Sequence, residues 1–217
     1  VAAYLESKET LIDGPCPVYE HYGVCPSGFL CNWCRAHTTP DGHLAHDAAR
    51  AELHLLPPAL NTPDRALLSE LRRGTHAFSA AHRPARDPPA FPLRGKLVFP
   101  SLCTFGNLPY RKLIKGFGCD VTMSEMVMAE PLVAGQTSEW ALVRRDASED
   151  VFGVQLCCNK LDQLAHAVEL LDGLAVDFYE LNCACPIDLV CNRGMGASLI
   201  DKPARIGKLV GTMRSVT

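Results

Sequence analysis

The sequence predicts an α/β fold on a parallel sheet, preceded by a small metal-stabilised segment and a linker. Three observations carry this. From Lys96 onward, short apolar runs of strand character alternate with amphipathic helical runs, the texture of βα units in a doubly wound sheet or a (β/α)8 barrel. Residues 1–47 hold Cys16, Cys25, Cys31 and Cys34 with His37 close behind, a metal-ligand pattern. Residues 48–95 hold no cysteine, many Ala and Pro, and seven Arg against four acids.

In the first zone the ligand candidates run Cys16-x8-Cys25-x5-Cys31-x5-His37. Three thiolates and one imidazole complete a tetrahedral Zn2+ shell, and a closed shell makes the site structural rather than catalytic. The ion would supply folding energy that so short a segment cannot draw from a core. Cys34 competes for the fourth place through Cys31-x2-Cys34; His37 is favoured. Unrelated reduced thiols are the plainer alternative. In the second zone, Leu56-Pro57-Pro58 and Arg86-Asp87-Pro88-Pro89 mark a linker, with a short helix over Thr62–Arg73.

The third zone divides into successive units. Strands are expected at Lys96–Phe99, Asp120–Ser124, Phe152–Leu156 and Val176–Leu181. The first helix, Leu108–Phe117, has Asn107 as cap, Pro109 in its first turn and Gly116 and Gly118 at its end. Thr137–Arg145 is the second helix. Leu161, Leu164, Val168 and Leu171 give the third its apolar stripe. The last is capped by Asp201, carries Pro203 in its first turn, and aligns Ile206, Leu209, Val210 and Met213.

Composition narrows the class. With 217 residues, 47% of them hydrophobic, and a net charge of −3, the chain is globular rather than disordered. It contains no run of roughly 18–20 apolar residues that would span a membrane. Val1–Lys8 does not resemble a signal peptide. Eleven cysteines, an odd number, then point to free thiols and metal ligation in a reducing compartment, the nucleus or the cytoplasm. A first residue other than Met suggests a fragment.

A second constellation is Glu180-Leu181-Asn182-Cys183-Ala184-Cys185-Pro186, followed by Arg193-Gly194-Met195-Gly196-Ala197. An apolar strand ending in polar residues and a Cys-Pro turn places side chains at the C-terminal edge of a parallel sheet, where ligands collect. A thiol there can be a nucleophile or a proton donor. A spectator cysteine is the plainer reading. Gly194-Met195-Gly196 lacks the third glycine of a dinucleotide fingerprint.

Residues 96–217 resemble the first half of the catalytic domain of the tRNA-dihydrouridine synthase family, an FMN-dependent (β/α)8 barrel. The stretches that carry the resemblance are Gly106-Asn107-Leu108-Pro109-Tyr110-Arg111, Ser124-Glu125-Met126, Gly153-Val154-Gln155-Leu156, and Asn182-x-x-Cys185-Pro186 with Ile187-Asp188-Leu189-Val190. They occur in family order. Residues 1–47 resemble a CCCH zinc finger, whose aromatic residues stack on single-stranded RNA bases; here Tyr19, Tyr22, Phe29 and Trp33 are available, or pack the finger instead. A finger before the barrel singles out the eukaryotic subfamily that modifies uridine 47 of tRNA.

The resemblance implies a fold, the N-terminal half of a TIM barrel behind the finger, and a chemistry. NADPH reduces FMN, hydride passes to uracil C6, and Cys185 rather than Cys183 protonates C5 of a base lifted from the stack. Gln155 and Asn182 would contact the flavin, and Ser101, Leu102 and Cys103 stand where the family has a flavin-contacting Pro-Leu-Thr. The implied partner is tRNA, with messenger RNA a further candidate and no membrane or DNA. Zn2+ is structural. The chain departs from the family at Ala184, where a Gly is usual, at Pro100-Ser101, and at Cys157-Cys158. A full barrel takes about 250 residues and eight strands, so the four strands of residues 96–217 would be a partial copy that holds FMN poorly alone. A catalytically inactive RNA-binding protein is the alternative. A nicotinamide-dependent doubly wound oxidoreductase is weaker still, because Pro100–Gly106 offers one glycine where a glycine-rich turn is needed.

Overall fold

Residues 2–53, 59–79, 93–100 and 102–216 are described by a computed structural model of the chain, which divides into two units, 1–57 and 58–217. The first unit is built from α1 (Ala2–Ser7), α2 (Pro17–Tyr22) and α3 (Ala48–Leu53), with 3-10 turns at Gly28–Leu30 and Cys34–His37. Pro17 suits the first turn of α2, where no N–H is required, and the Cys16 sulfur caps that helix by accepting from the Tyr19 N–H at 3.4 Å. Asp47 begins α3, its carboxylate accepting the Arg50 N–H at 3.0 Å. The unit therefore extends past residue 47, the boundary expected from sequence.

The stretch 48–95 is not a linker throughout. Besides α3, it contains α4 (Arg65–Arg73), capped by Asp64 through the Leu67 N–H at 2.6 Å. Leu71 of α4 is buried in the core of the second unit, and Leu67, Leu68 and Phe78 pack against it. Asn61 anchors the approach: its amide donates to the carbonyls of Val143 and Ala175 and accepts from the Ala175 N–H. The short helix expected over Thr62–Arg73 is thus present as nine-residue α4, and it belongs to the core rather than to a linker. The proline clusters at 56–58 and 86–89 lie outside the described residues.

The sheet of the second unit is parallel and sequential. Its elements are α5 (Leu108–Gly116), β1 (Val121–Met123), β2 (Val127–Met128), α6 (Ala129–Val133), α7 (Thr137–Leu142), β3 (Val151–Cys157), α8 (Leu161–Asp172), β4 (Phe178–Leu181), α9 (Asp188–Cys191) and α10 (Pro203–Arg214). β1 and β2 both pair with one side of β3, and β4 with the other. The first expected strand, 96–99, is reduced to a single parallel bridge between Val98 and Val121. The second, 120–124, is observed as β1, and its line continues after a break as β2, a strand not expected from sequence. Its partners on β3 are 30 residues ahead at Val121↔Val151 and 29 ahead at Val127↔Leu156, so one extra residue is accommodated as a bulge. At the break the Ser124 hydroxyl accepts the Gln155 N–H at 3.1 Å, replacing a ladder carbonyl.

Alternation along β3 assigns its two faces. Phe152, Val154 and Leu156 join Leu132, Trp140, Leu164, Val168, Leu171, Leu209 and Met213 in one buried cluster beneath the helices. Gly153, Gln155 and Cys157 occupy the other face. Gly153 is required there by close approach: a Cβ would lie 2.1 Å from the Phe178 ring opposite.

Two further expectations change. α7 ends at Leu142, before Arg145, and α10 takes Lys202 rather than Asp201 at its cap position, without a side-chain bond. Pro203 opens α10 as expected, and Leu209 and Met213 are buried while Val210 is exposed. A buried ion pair ties the first βα unit to the loop before β3. Arg111 Nε donates to Glu149 Oε1 at 2.8 Å, and its other nitrogens donate to the carbonyls of Gly106 and Arg144. Glu149 also accepts from the Thr122 hydroxyl and the Asp146 N–H. Among the described residues no helix is long and apolar enough to cross a membrane.

Candidate metal centre and candidate active site

The first unit brings Cys16, Cys25, Cys31 and His37 together, all buried, with their ligand atoms within 4.8 Å of one another. The Cys16 and Cys31 sulfurs are 3.7 Å apart. Two sulfurs at about 2.3 Å from a tetrahedral ion would stand about 3.8 Å apart. His37 Nε2 is buried without a hydrogen-bond partner, a costly state for an imidazole nitrogen that a coordinated ion removes. These residues fit a metal. Burial pushes the Cys31 thiol up to about 11; for Cys16 burial acts in the same direction, but the Tyr19 N–H and the Cys31 thiol bring its pKa below the ordinary value. Cys34 is also fully buried but lies outside the group. Sequence reasoning missed Lys8, whose ammonium donates to the carbonyls of Phe29, Leu30 and Cys31 at 3.0, 2.9 and 2.8 Å. Tyr19 and Trp33 pack on the cysteine cluster, whereas Tyr22 and Leu30 are exposed.

In the second unit, a chain of hydrogen bonds crosses the C-terminal ends of β3 and β4. Gln155 on β3 stands directly opposite Glu180 on β4, and its Nε2 donates to Glu180 Oε1 at 2.6 Å. Asn182, just past β4, donates from Nδ2 to Gln155 Oε1 at 2.8 Å. Asn182 Oδ1 accepts the backbone N–H of Cys185 at 3.1 Å. Gln155, Asn182 and Cys185 are each about 8% exposed, so the path is nearly closed to water yet reaches the surface.

Cys185 rests on a built support. Its side chain clusters with Cys157, Val190 and Met195, with Met126 and Met128 alongside. Its carbonyl accepts from the Ala197 N–H at 2.9 Å and from the Cys191 thiol. Gly196, at φ +59°, lets the chain pass: a Cβ there would lie 2.5 Å from the Cys185 carbonyl oxygen. Gly194-Met195-Gly196 thus cradles the cysteine loop and is not a phosphate turn. Cys157 is pushed up to about 12, by burial first and by nearby Cys185 second, so it stays a protonated thiol. Cys183 is raised by burial and then by Glu180.

Ala184 is exposed, and the described non-glycine residues at positive φ are Asn61 and Thr104. The methyl group that departs from the family glycine therefore meets no backbone strain here. Leu102 and Cys103 are exposed and make no hydrogen bond to the amide pair. The Cys103 thiol is raised by desolvation, then by Cys185 and Glu125, which places it near the cysteine loop. Thr104 follows at φ 70°, its N–H held by Glu125 Oε2 at 3.1 Å. Ser101 lies outside the described residues. Glu180 was missed as a site residue; the signal was a carboxylate two places before Asn182 in an apolar strand, on the same face.

A family model described as "Dihydrouridine synthase (Dus)" matches residues 101–217. The tRNA-dihydrouridine(47) synthase [NAD(P)(+)]-like protein of Oryza sativa subsp. japonica is 48% identical over 133 residues, covering 61% of this chain and 19% of that protein. The tRNA-dihydrouridine(47) synthase [NAD(P)(+)] of Candida albicans is 32% identical over 255 residues, 99% of this chain and 41% of that protein. The -like protein of Homo sapiens is 31% identical over 281 residues, 100% of this chain and 43% of that protein. The chain spans about two fifths of the length of the relatives it matches from end to end.

Proposed function

The chain belongs to the dihydrouridine synthase family, and from that premise we propose that it forms part of an FMN-dependent enzyme that reduces the C5–C6 bond of a tRNA uridine, at position 47, with NADPH as electron source. The observation that carries this is the hydrogen-bonded path Gln155–Asn182–Cys185 at the C-terminal edge of a parallel sheet. Two amides converging beside a thiol fit a planar heterocycle edged with acceptors and donors. Gln155 and Asn182 would hold that ring, with Ser101, Leu102 and Cys103 bordering it. When bound, FMN supplies hydride chemistry for C6.

The remaining chemistry is the protein's own. Cys185 Sγ–H delivers a proton to C5, since a cysteine thiol is largely protonated at neutral pH. The Asn182 carbonyl and the Ala197 N–H hold the Cys185 backbone on both sides, which fixes the thiol for a base lifted out of the RNA stack. The departing proton is replaced from solvent.

The Cys16, Cys25, Cys31 and His37 cluster would hold Zn2+ in a closed, structural shell. Tyr22, exposed on the same unit, would then offer a stacking surface for a tRNA base. The test is to purify the protein that carries this chain, assay bound FMN, and map dihydrouridine on tRNA lacking it. Flavin with new dihydrouridine at position 47 is the expected result. A colourless protein that binds tRNA and reduces nothing would overturn the enzyme reading.

A further inference from the structure

The amides of Gln155 and Asn182 are bonded in series, and each end of the series has a fixed polarity. At one end Glu180 accepts from Gln155 Nε2, and an ionised carboxylate has no hydrogen to give. At the other, the backbone N–H groups of Cys185 and Ala184, 3.1 and 3.4 Å from Asn182 Oδ1, can only donate. A primary amide has one donating and one accepting end. The two terminal constraints therefore agree on a single arrangement, with Asn182 Nδ2 donating to Gln155 Oε1. Flipping either amide would set N–H against N–H or oxygen against oxygen inside a nearly buried path, at the cost of desolvated, unpaired groups.

Among the described residues the hydrogen bond that occupies the Glu180 side chain is the one from Gln155. Among the described residues its carboxylate enters no ion pair, and the side chain it meets is Gln155. Its place in the β3–β4 register, opposite Gln155, puts a charged group on a half-buried strand where an apolar residue would pack at lower desolvation cost.

We propose that Glu180 is the positioning residue of the site: it polarises the Gln155–Asn182 series and, through Asn182, holds the backbone at Cys185. Each amide then keeps one N–H hydrogen not used in the series, so the pair meets a bound heterocycle mainly as a donor and selects an acceptor edge. The flavin reading supplies the identity of that heterocycle; the polarity itself does not depend on it.

The experiment uses the 217-residue chain without added flavin. Side-chain amide resonances of Gln155 and Asn182 are assigned by their loss in Gln155→Leu and Asn182→Leu. Alkylation of Cys185 by iodoacetamide is followed by mass spectrometry resolved to that residue. In Glu180→Gln, which keeps size and can either accept or donate, the protons on Gln155 Nε2 and Asn182 Nδ2 and the Cys185 backbone amide all shift or double. Cys185 alkylation rises about three- to tenfold, the worth of about one hydrogen bond. Glu180→Asp, which keeps an acceptor-only charge, retains a single set of amide signals. Unmoved Asn182 and Cys185 signals in Glu180→Gln would overturn the proposal, as would doubling in Glu180→Asp with none in Glu180→Gln. A parallel FMN titration of the longer protein that carries this chain reports on the flavin reading alone: absent binding there sinks that reading and leaves the amide result standing.

Discussion

In residues 1–57 the buried cluster consists of four cysteines, whereas in residues 58–217 it runs from Leu71 through Val127, Trp140, Phe152 and Leu164 to Met213. Among its described residues the first unit has three six-residue helices, two 3-10 turns and one isolated bridge, too little apolar area to offset its chain entropy. The second draws on alternation along β3 and on the stripes of α8 and α10. The contrast teaches where each unit's stability is concentrated. One depends on a few ligand atoms, the other is spread over many side chains and one buried ion pair.

The sharpest way to break this comparison is to take the metal away. Chelation, or Cys25→Ser, should unfold residues 1–57 and leave the spectrum of the second unit intact, since a structural Zn2+ is worth about 10–16 kcal/mol to a small finger. Stoichiometric zinc and an unchanged finger spectrum in Cys25→Ser would remove Cys25 from the ligand set. Next in size, Glu149→Ala leaves Arg111 buried and unpaired and should cost the second unit about 3–5 kcal/mol, read as a lower urea midpoint with the zinc retained. Gly153→Ala should cost about 1–3 kcal/mol by overpacking against Phe178, which Phe178→Leu in the same chain should partly restore.

Acid should separate the units in order. Burial pushes the Asp146 carboxyl up, but Lys112, 2.9 Å away, and Ser148 outweigh it and hold it below the ordinary range. The folded state thus favours the charged form, so this contribution is complete above the unfolded pKa and lost as pH falls through the folded one. Asp120 and Asp150 are lowered too, and the second unit should weaken below about pH 4. Protons compete for thiolate ligands at higher pH, so metal release should come first in a titration followed by circular dichroism and a zinc indicator. The smallest effect is expected from Ala184→Gly, a change within about 1 kcal/mol by thermal melting, because Ala184 already lies outside the positive-φ region.

What could be read from the sequence follows the same division. Ligand chemistry is written in residue type and spacing, so Cys16, Cys25 and Cys31 stood out. Spacing left His37 and Cys34 in competition, and the structure places His37 in the cluster while Cys34 is buried beside it. Strands with long apolar runs were legible at β3 and β4. β1 was legible within 120–124, but the continuation into β2 was not, because it depends on a hydroxyl, Ser124, replacing a ladder carbonyl across the sheet. Likewise α4 was legible as a short helix within 62–73, but its docking was not, because its stripe makes sense only against a core contributed by distant residues. Glu180 and Glu149 were invisible as partners for the same reason: each acts on a residue 25 or 38 places away.

The most direct test of the proposed chemistry compares Cys185→Ala with Cys183→Ala in flavin-loaded protein, scoring dihydrouridine formed per tRNA in a single turnover. Cys183→Ala should leave the yield near that of the parent, and Cys185→Ala should lower the rate by about 10²–10⁴-fold with the flavin still bound. Equal rates in Cys185→Ala and the parent protein would contradict the assignment of Cys185 as the proton donor.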